Sequence, residues 1–339
     1  MLNRNTSTRA TPTSLSKRAL LCVAWLCAAI ISPLAAHAQA DYPNKPITLV
    51  VPFPAGGAND AVGRLIGQKL AEALKQTVIV DNKPGAGTTL GTAIVAKSAP
   101  DGYTLLLGSL ASHAVSPHLF AKPGYDAFTD FSPIALMGVA PIILYVNKET
   151  PYMDVKSLVA AGKAKPGSLN YGSAGNGSPL HLAGELFAIA SGVNMVHVPY
   201  KGGSAHTMDL IGGRLDMIFD TATSAMPLIK GDKVRALAVA APARLAELPN
   251  VPTFAEAGYP NFEVSGWYAL YAPAKTPADI VARLNAETVK ALHSPEVVEK
   301  FRGLGVRPMG GTPADLLAFQ RAEFDKHGKV IRDGNIKAD

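Results

Sequence analysis

The sequence predicts an α/β fold in two lobes, on three observations. Apolar strand-like runs alternate with helical patterns from residue 41 onward. A glycine-rich strand-to-helix turn occurs in each half, at Pro52 to Asp60 and at Gly172 to His181. A late strand, Gly266 to Tyr271, returns to the first series after a second series has run. Lobe 1 is expected to hold residues 41–145 and 260–339, and lobe 2 residues 146–259, with crossings near Val146 and near Tyr259 to Gly266.

The first 40 residues read as a targeting segment. Arg4, Arg9, Lys17 and Arg18 precede an apolar run from Ala19 to Ile31, and Ala36-His37-Ala38 and Ala38-Gln39-Ala40 offer small-residue cleavage sites. The run is short for a membrane span, so a secretory signal cleaved after Ala38 or Ala40 is expected. Both cysteines, Cys22 and Cys27, leave with it, and disulfide or zinc–thiolate chemistry is not expected in the mature chain. The 339 residues carry 32 Lys+Arg against 26 Asp+Glu; without the four basic residues of the leader the balance is 28 against 26. So neutral a surface argues against a nucleic-acid partner.

In chain order, Ile47 to Val51 is a short β-branched run of the kind buried on both faces of a parallel sheet. Pro52 and Pro54 end it, and Gly56 and Gly57 permit a reversal. Val62, Leu65, Ile66, Leu70 and Leu74 then recur at helical spacing. Strands are expected at Thr77 to Val80 and Tyr103 to Gly108, with a helix from Leu90 to Lys97 between them, and a further strand at Pro141 to Val146. The second series predicts helices at Val155 to Lys163, from Ser178 through Ile189, and at His206 to Ile211. Its strands are Ser168 to Tyr171, Met195 to Val198, Leu215 to Phe219 and Val234 to Ala240. Ile280 to Leu292 and Ala314 to Lys326 are amphipathic helices entered through Thr-Pro, with Thr312 at N-cap and Pro313 at the first helical position.

Ligands in open α/β sheets sit beyond the carboxyl ends of strands. The first turn offers helix N–H groups and a positive dipole end, which favour an anion without Arg or Lys. Asp60 there either stabilises its own helix dipole or meets a ligand amino group. In the second turn Ser178 suits N-cap and Pro179 the position after it, while residues 173–178 either hold an oxyanion or water, or form a plain surface loop. His181 either donates to a ligand or caps local backbone. Tyr200 and Lys201 supply a hydroxyl and a point charge, or a wall and a solvated amine. The sequence has no Gly-x-Ser-x-Gly elbow, Walker A or His-Glu-x-x-His motif, and Gly85-x-Gly87-x-x-x-Gly91 misses the dinucleotide spacing by one residue. Metal ligation is not indicated, since His113 and His118 lack suitably arranged acidic neighbours. An exported chain without these motifs reads as a binder.

Six segments taken together carry a family resemblance: Pro52-Phe-Pro-Ala-Gly-Gly-Ala-Asn-Asp60, Asn82-Lys-Pro-Gly-Ala-Gly87, Ala99-Pro-Asp-Gly-Tyr-Thr-Leu105, Asn170-Tyr-Gly-Ser-Ala-Gly-Asn-Gly-Ser178, His197-Val-Pro-Tyr-Lys-Gly202 and Pro249-Asn-Val-Pro-Thr-Phe254. They resemble the Bug family of periplasmic solute-binding receptors associated with tripartite tricarboxylate transporters. The resemblance implies a two-lobed periplasmic binding protein of type II-like, Venus-flytrap form, without catalysis or cofactor. It implies a small carboxylate held largely by backbone groups and water. Carried onto this chain, the first turn is Phe53, Ala55, Gly56 and Gly57 with Asp60 beside it. The facing turn is Ser173, Ala174, Gly175, Asn176 and Ser178 with His181. Ser109 to Ser112 line one wall, made more apolar by Leu110 and Ala111, and Tyr200, Lys201 and Gly202 with Asp220 and Thr221 line the other.

The expected ligand classes are di- or tricarboxylates, acidic amino acids and aromatic carboxylates. The expected partner is a membrane permease, or a sensor protein if the output is signalling, and the receptor is expected to act as a monomer. A secreted hydrolase using Ser173 or Ser178 with His181 is the third reading; it lacks a placed carboxylate to orient the base.

Overall fold

The computed structural model describes residue 1 and residues 42–175, 178–200, 205–260, 262, 264–334 and 336–337. By contact the chain divides into Met1–Asn44 and Lys45–Asp339. Of the first unit only residues 1 and 42–44 are described, with a cis peptide bond between Tyr42 and Pro43. The expected leader, its cleavage sites and both cysteines lie outside the described residues.

The second unit begins with β1 (Ile47–Val51), whose residues Ile47, Leu49, Val50 and Val51 are buried. Helix α1 (Ala58–Leu74) follows after the Pro52 to Gly57 turn and buries Val62, Leu65, Ile66, Leu70 and Leu74, the set whose spacing predicted it. Then come β2 (Val78–Asn82), α2 (Thr89–Ala96) and β3 (Thr104–Ser109). β1 pairs in parallel with both β2 and β3, as a strand buried on both faces should. After β3 the chain makes a wide helical turn at Ala111–Val115 and a short α3 (Ser116–Leu119).

β4 (Phe131–Asn147) is far longer than expected. The expected strand covers only Pro141 to Val146, and the added length takes in Pro133 and Gly138. The structure accommodates them without ending the strand. Register shifts fall between Pro133 and Ala135 and between Leu136 and Gly138, and Pro141 sits where one partner strand gives way to others. Up to Pro141, β4 pairs with β9 (Ser265–Pro273) and with β10 (Arg307–Gly310). From Ile142 it pairs with β7 (Met217–Thr221), and from Ile143 also with β8 (Val234–Val239).

The second group consists of α4 (Val155–Ala164), β5 (Leu169–Ser173), α5 (Pro179–Ser191), β6 (Met195–Pro199), α6 (Ala205–Ile211), β7, α7 (Ala222–Lys230) and β8. β5 runs parallel to β6 on one side and β7 on the other. After β9 come α8 (Ala278–Leu292), α9 (Pro295–Gly303), β10 and α10 (Pro313–Asp333). Thr312 caps α10 by accepting the Asp315 N–H, as its Thr-Pro entry predicted, whereas Pro277 itself takes the N-cap place at α8. The sheet order is β2-β1-β3-β9-β4-β7-β5-β6, with β8 and β10 each pairing β4 off that path. β4 is thus common to a first group of strands and a second. Buried clusters sit in both groups, one around Trp267 and Tyr271 and another around Tyr171, Phe187 and Phe219. Among the described residues no helix is long and apolar enough to cross a membrane.

Candidate functional site

The parallel registers decide which turns share an edge. β2, β1 and β3 are neighbours, so the segments after Val51, Asn82 and Ser109 leave the same end of the first group. β6, β5 and β7 do the same for the segments after Pro199, Ser173 and Thr221. β9 joins the two sets. Its Tyr268 stands opposite Ser109 in the ladder, and the Tyr268 hydroxyl lies 3.4 Å from Thr223 Oγ1 at the start of α7. A Cβ on Gly266 would come within 2.9 Å of Thr221. The start of α5 also reaches across: Leu182 belongs to the same buried cluster as Leu110, Trp267 and Leu316, and α10 touches α5.

At the first turn, Pro54, Ala55, Gly56 and Gly57 are exposed, and Phe53 is half-buried. Gly56 has φ +84°, which only glycine adopts without strain. Gly57 stands at N-cap and brings no side-chain bond to the helix. The N–H groups of Ala58, Asn59 and Asp60 therefore have no hydrogen-bond partner among the described residues. Asp60 is buried and faces inward. Its Oδ2 accepts the Gly56 N–H and Arg64 Nε, each at 2.9 Å, and its Oδ1 accepts Asn82 Nδ2 at 3.0 Å. Burial by itself would raise this carboxyl; the Arg64, Gly56 and Asn82 bonds outweigh it and hold it below the usual range. Both Asp60 oxygens are thus engaged by Gly56, Arg64 and Asn82.

Ser109 and Ser112 are buried, and Ser112 Oγ accepts the Ser109 N–H at 2.9 Å and lies 2.9 Å from His113 Nδ1. The Ser112 hydroxyl is engaged inside this turn, and Leu110 and Ala111 are also buried. His113 is enclosed, stacks on Tyr271 with centroids 4.1 Å apart, and is pushed down to about 3 by burial. An unfolded histidine takes up its proton near pH 6.5, so this group's contribution to stability is complete above that pH and is lost as pH falls towards 3. Urea unfolding should show stability declining across that window, and more gently in His113→Phe; equal slopes would contradict the assignment.

At the second turn Gly175 has φ +120°, and its carbonyl accepts the Ser178 N–H at 3.1 Å. Ser178 caps α5 by accepting the His181 N–H, and Pro179 takes the first helical position, as expected. Ser173 Oγ accepts the Gly175 N–H at 3.1 Å and lies 2.6 Å from His197 Nε2. The His197 ring stacks on His181 at 3.9 Å and on Tyr171 at 5.0 Å. Tyr171 donates to Glu185 at 2.6 Å, and His181 holds the Glu185 carboxyl below its usual range. Ala174 is half-buried; Asn176, Lys201 and Gly202 lie outside the described residues. Tyr200 donates to Asp209 at 2.6 Å, and burial with that bond pushes its phenol to about 12. Asp220 is buried: Oδ1 accepts the Thr221 N–H at 2.7 Å and Oδ2 lies 3.3 Å from His206 Nε2. Thr221 is the N-cap of α7 and, like Gly57, brings no side-chain cap.

His197, Asn82 and Tyr268 were not among the residues expected from sequence. His197 and Asn82 stood in quoted segments, so a signal existed; Tyr268 had none, since its place depends on β9 pairing with β3, far earlier in the chain. A separate recess of about 380 Å³ between α1 and α9 is lined by Ala61, Arg64, Leu65, Lys300 and Leu304 among others. No group of residues suited to a metal ion occurs among the described residues.

A family model described as the tripartite tricarboxylate transporter family receptor, TctC, matches residues 62–336. Protein BugT of Bordetella pertussis is 37% identical over 90% of this chain and 94% of its own length. Among solved structures, R. palustris Rpa4515 with adipate has a TM-score of 0.84 at 36% identity, covering 88% of this chain and all of that one. MatC (Rpa3494) from Rhodopseudomonas palustris with bound malate has a TM-score of 0.79 at 35% identity, covering 86% of this chain and all of that one.

Proposed function

The chain belongs to the tripartite tricarboxylate transporter receptor family, and from that premise we propose that it is a periplasmic receptor trapping a small dicarboxylate between two lobes for delivery to a tripartite-type permease. The family is one of solute-binding receptors, not enzymes. On this reading lobe 1 comprises residues 41–145 and 260–339, lobe 2 comprises residues 146–259, and the leader is removed after Ala38 or Ala40.

The observation that carries the proposal is the uncapped first turn of α1, with the Ala58, Asn59 and Asp60 amides unpartnered among the described residues beside an exposed glycine turn. Such a helix start favours an anion through both its N–H groups and its dipole. The other side is supplied by Ser173, whose hydroxyl lies 2.6 Å from His197 Nε2, and by Ser178 at the cap of α5. Support for a dicarboxylate comes from the neighbours solved with adipate and malate. The site's carboxylates point the same way. Both oxygens of Asp60 are bonded from within the protein, and Asp220 and Glu185 each accept a bond there as well, which leaves them less able to pair with a ligand ammonium.

Thermal unfolding with adipate, malate and aspartate tests the proposal. A ligand at a hundred times its Kd adds about 2.7 kcal/mol to the folded state. Adipate or malate should raise the midpoint by several degrees, and aspartate, which differs from malate by an ammonium, should raise it less. A flat response to all small dicarboxylates at millimolar concentration contradicts the function; an aspartate response exceeding that of malate contradicts the ligand class.

A further inference from the structure

We infer that Asp60, Arg64 and Asn82 form a clamp that sets the shape of the first turn, and that Asp60 serves the ligand as a positioning residue without touching it. The inference rests on the reading of that turn as a ligand wall, and it adds the means by which the turn is held.

The three side chains close a ring. Arg64 donates from Nε to Asp60 and from a terminal nitrogen to Asn82 Oδ1 at 3.2 Å, while Asn82 Nδ2 donates to Asp60 Oδ1. From this ring one bond goes to each end of the turn. Asn82 Nδ2 reaches the Phe53 carbonyl at 3.0 Å, and Asp60 Oδ2 takes the Gly56 N–H. The ring is itself anchored to the sheet. Asn82 is the last residue of β2, in register with Val51, and the next N–H, that of Lys83, bonds the Val51 carbonyl at 2.8 Å.

The turn would otherwise be loose. Its glycines are exposed, and a Cβ on Gly56 would meet nothing within 4 Å, so packing does not hold it in place. With the Gly56 N–H drawn inward to Asp60, the Ala55–Gly56 peptide is fixed, and the amides of Ala58 and Asn59 are left at the open end of α1. Both Asp60 oxygens are occupied, so the carboxylate repels no incoming acid by presenting a bare oxygen. Arg64, with its guanidinium bonded to Asp60, neutralises that charge beside the anion site.

Three variants separate positioning from contact: Asp60→Ala, Asn82→Ala and Arg64→Gln, each examined by amide hydrogen exchange without ligand and by titration with adipate and malate. Loss of one turn bond is expected to speed Gly56 exchange about tenfold in Asp60→Ala and to loosen residues 53–57 in Asn82→Ala. Affinity for adipate and malate should fall by about the same factor in both variants, with their ratio unchanged, and less in Arg64→Gln. Gly56 exchange unaltered in Asp60→Ala, or a variant of Asp60 alone that reverses the adipate-to-malate preference, overturns the inference. The exchange readout needs no ligand, so failure of the wild type to bind either acid sinks the proposed function and leaves the clamp tested separately.

Discussion

Replacing Gly184 by alanine should cost about 3 kcal/mol and weaken ligand binding. An ideal Cβ at this position on α5 would lie 2.2 Å from Tyr171 Cε2 and 2.5 Å from Cζ. The Tyr171 ring has nowhere to go. It is fully buried, meets Phe219 edge-on, stacks on His197 and bonds Glu185 through its hydroxyl. Overpacking of an enclosed aromatic is met by backbone shift, here of α5 itself. That helix carries Ser178 and His181 at its start, so the second turn should move with it. Tyr171→Phe is the comparison: it keeps the ring, drops the bond to Glu185, and should cost about 1 kcal/mol. Urea unfolding of the two variants decides the matter; an alanine at residue 184 that leaves the midpoint within error contradicts the close approach.

Trp267→Ala should be the most destabilising single truncation, at about 3–5 kcal/mol. Trp267 is 1% exposed and packs edge-on against Phe319 and His113, in the cluster that also holds Leu182 of α5. Truncation therefore empties the place where the second group rests on the first. Its Nε1 has no hydrogen-bond partner among the described residues. A buried donor left unpaired is a cost already present in the native protein, so Trp267→Phe removes that cost along with some packing and should lose under about 1.5 kcal/mol. Equal losses for the two variants would contradict this account of the residue.

Much of the fold was legible where local chemistry decides. Ile47 to Val51 with its flanking prolines gave β1 to the residue, and Ser178-Pro179 and Thr312-Pro313 gave two helix starts. Where partners far along the chain decide, the sequence misled. Prolines in β4 are harmless because they fall at register shifts and at the change of partner strands, neither visible locally. Helix α7 was not anticipated, and it carries Pro227 within it. Within the site, the glycine turns were readable from composition. The ring of Asp60 with Asn82 was not, because 22 residues and a strand pairing separate them. The inward-turned hydroxyl of Ser112 has the same origin: its partner His113 is drawn in by Tyr271, a residue of β9.

A crystal structure of the protein with a bound dicarboxylate tests the central claim most directly. The account predicts one carboxylate within hydrogen-bond reach of the Ala58 or Asn59 amide and the other end of the acid against residues 173–178. An acid found instead in the recess beside Arg64 and Lys300, with the first turn of α1 still unpartnered, would contradict it.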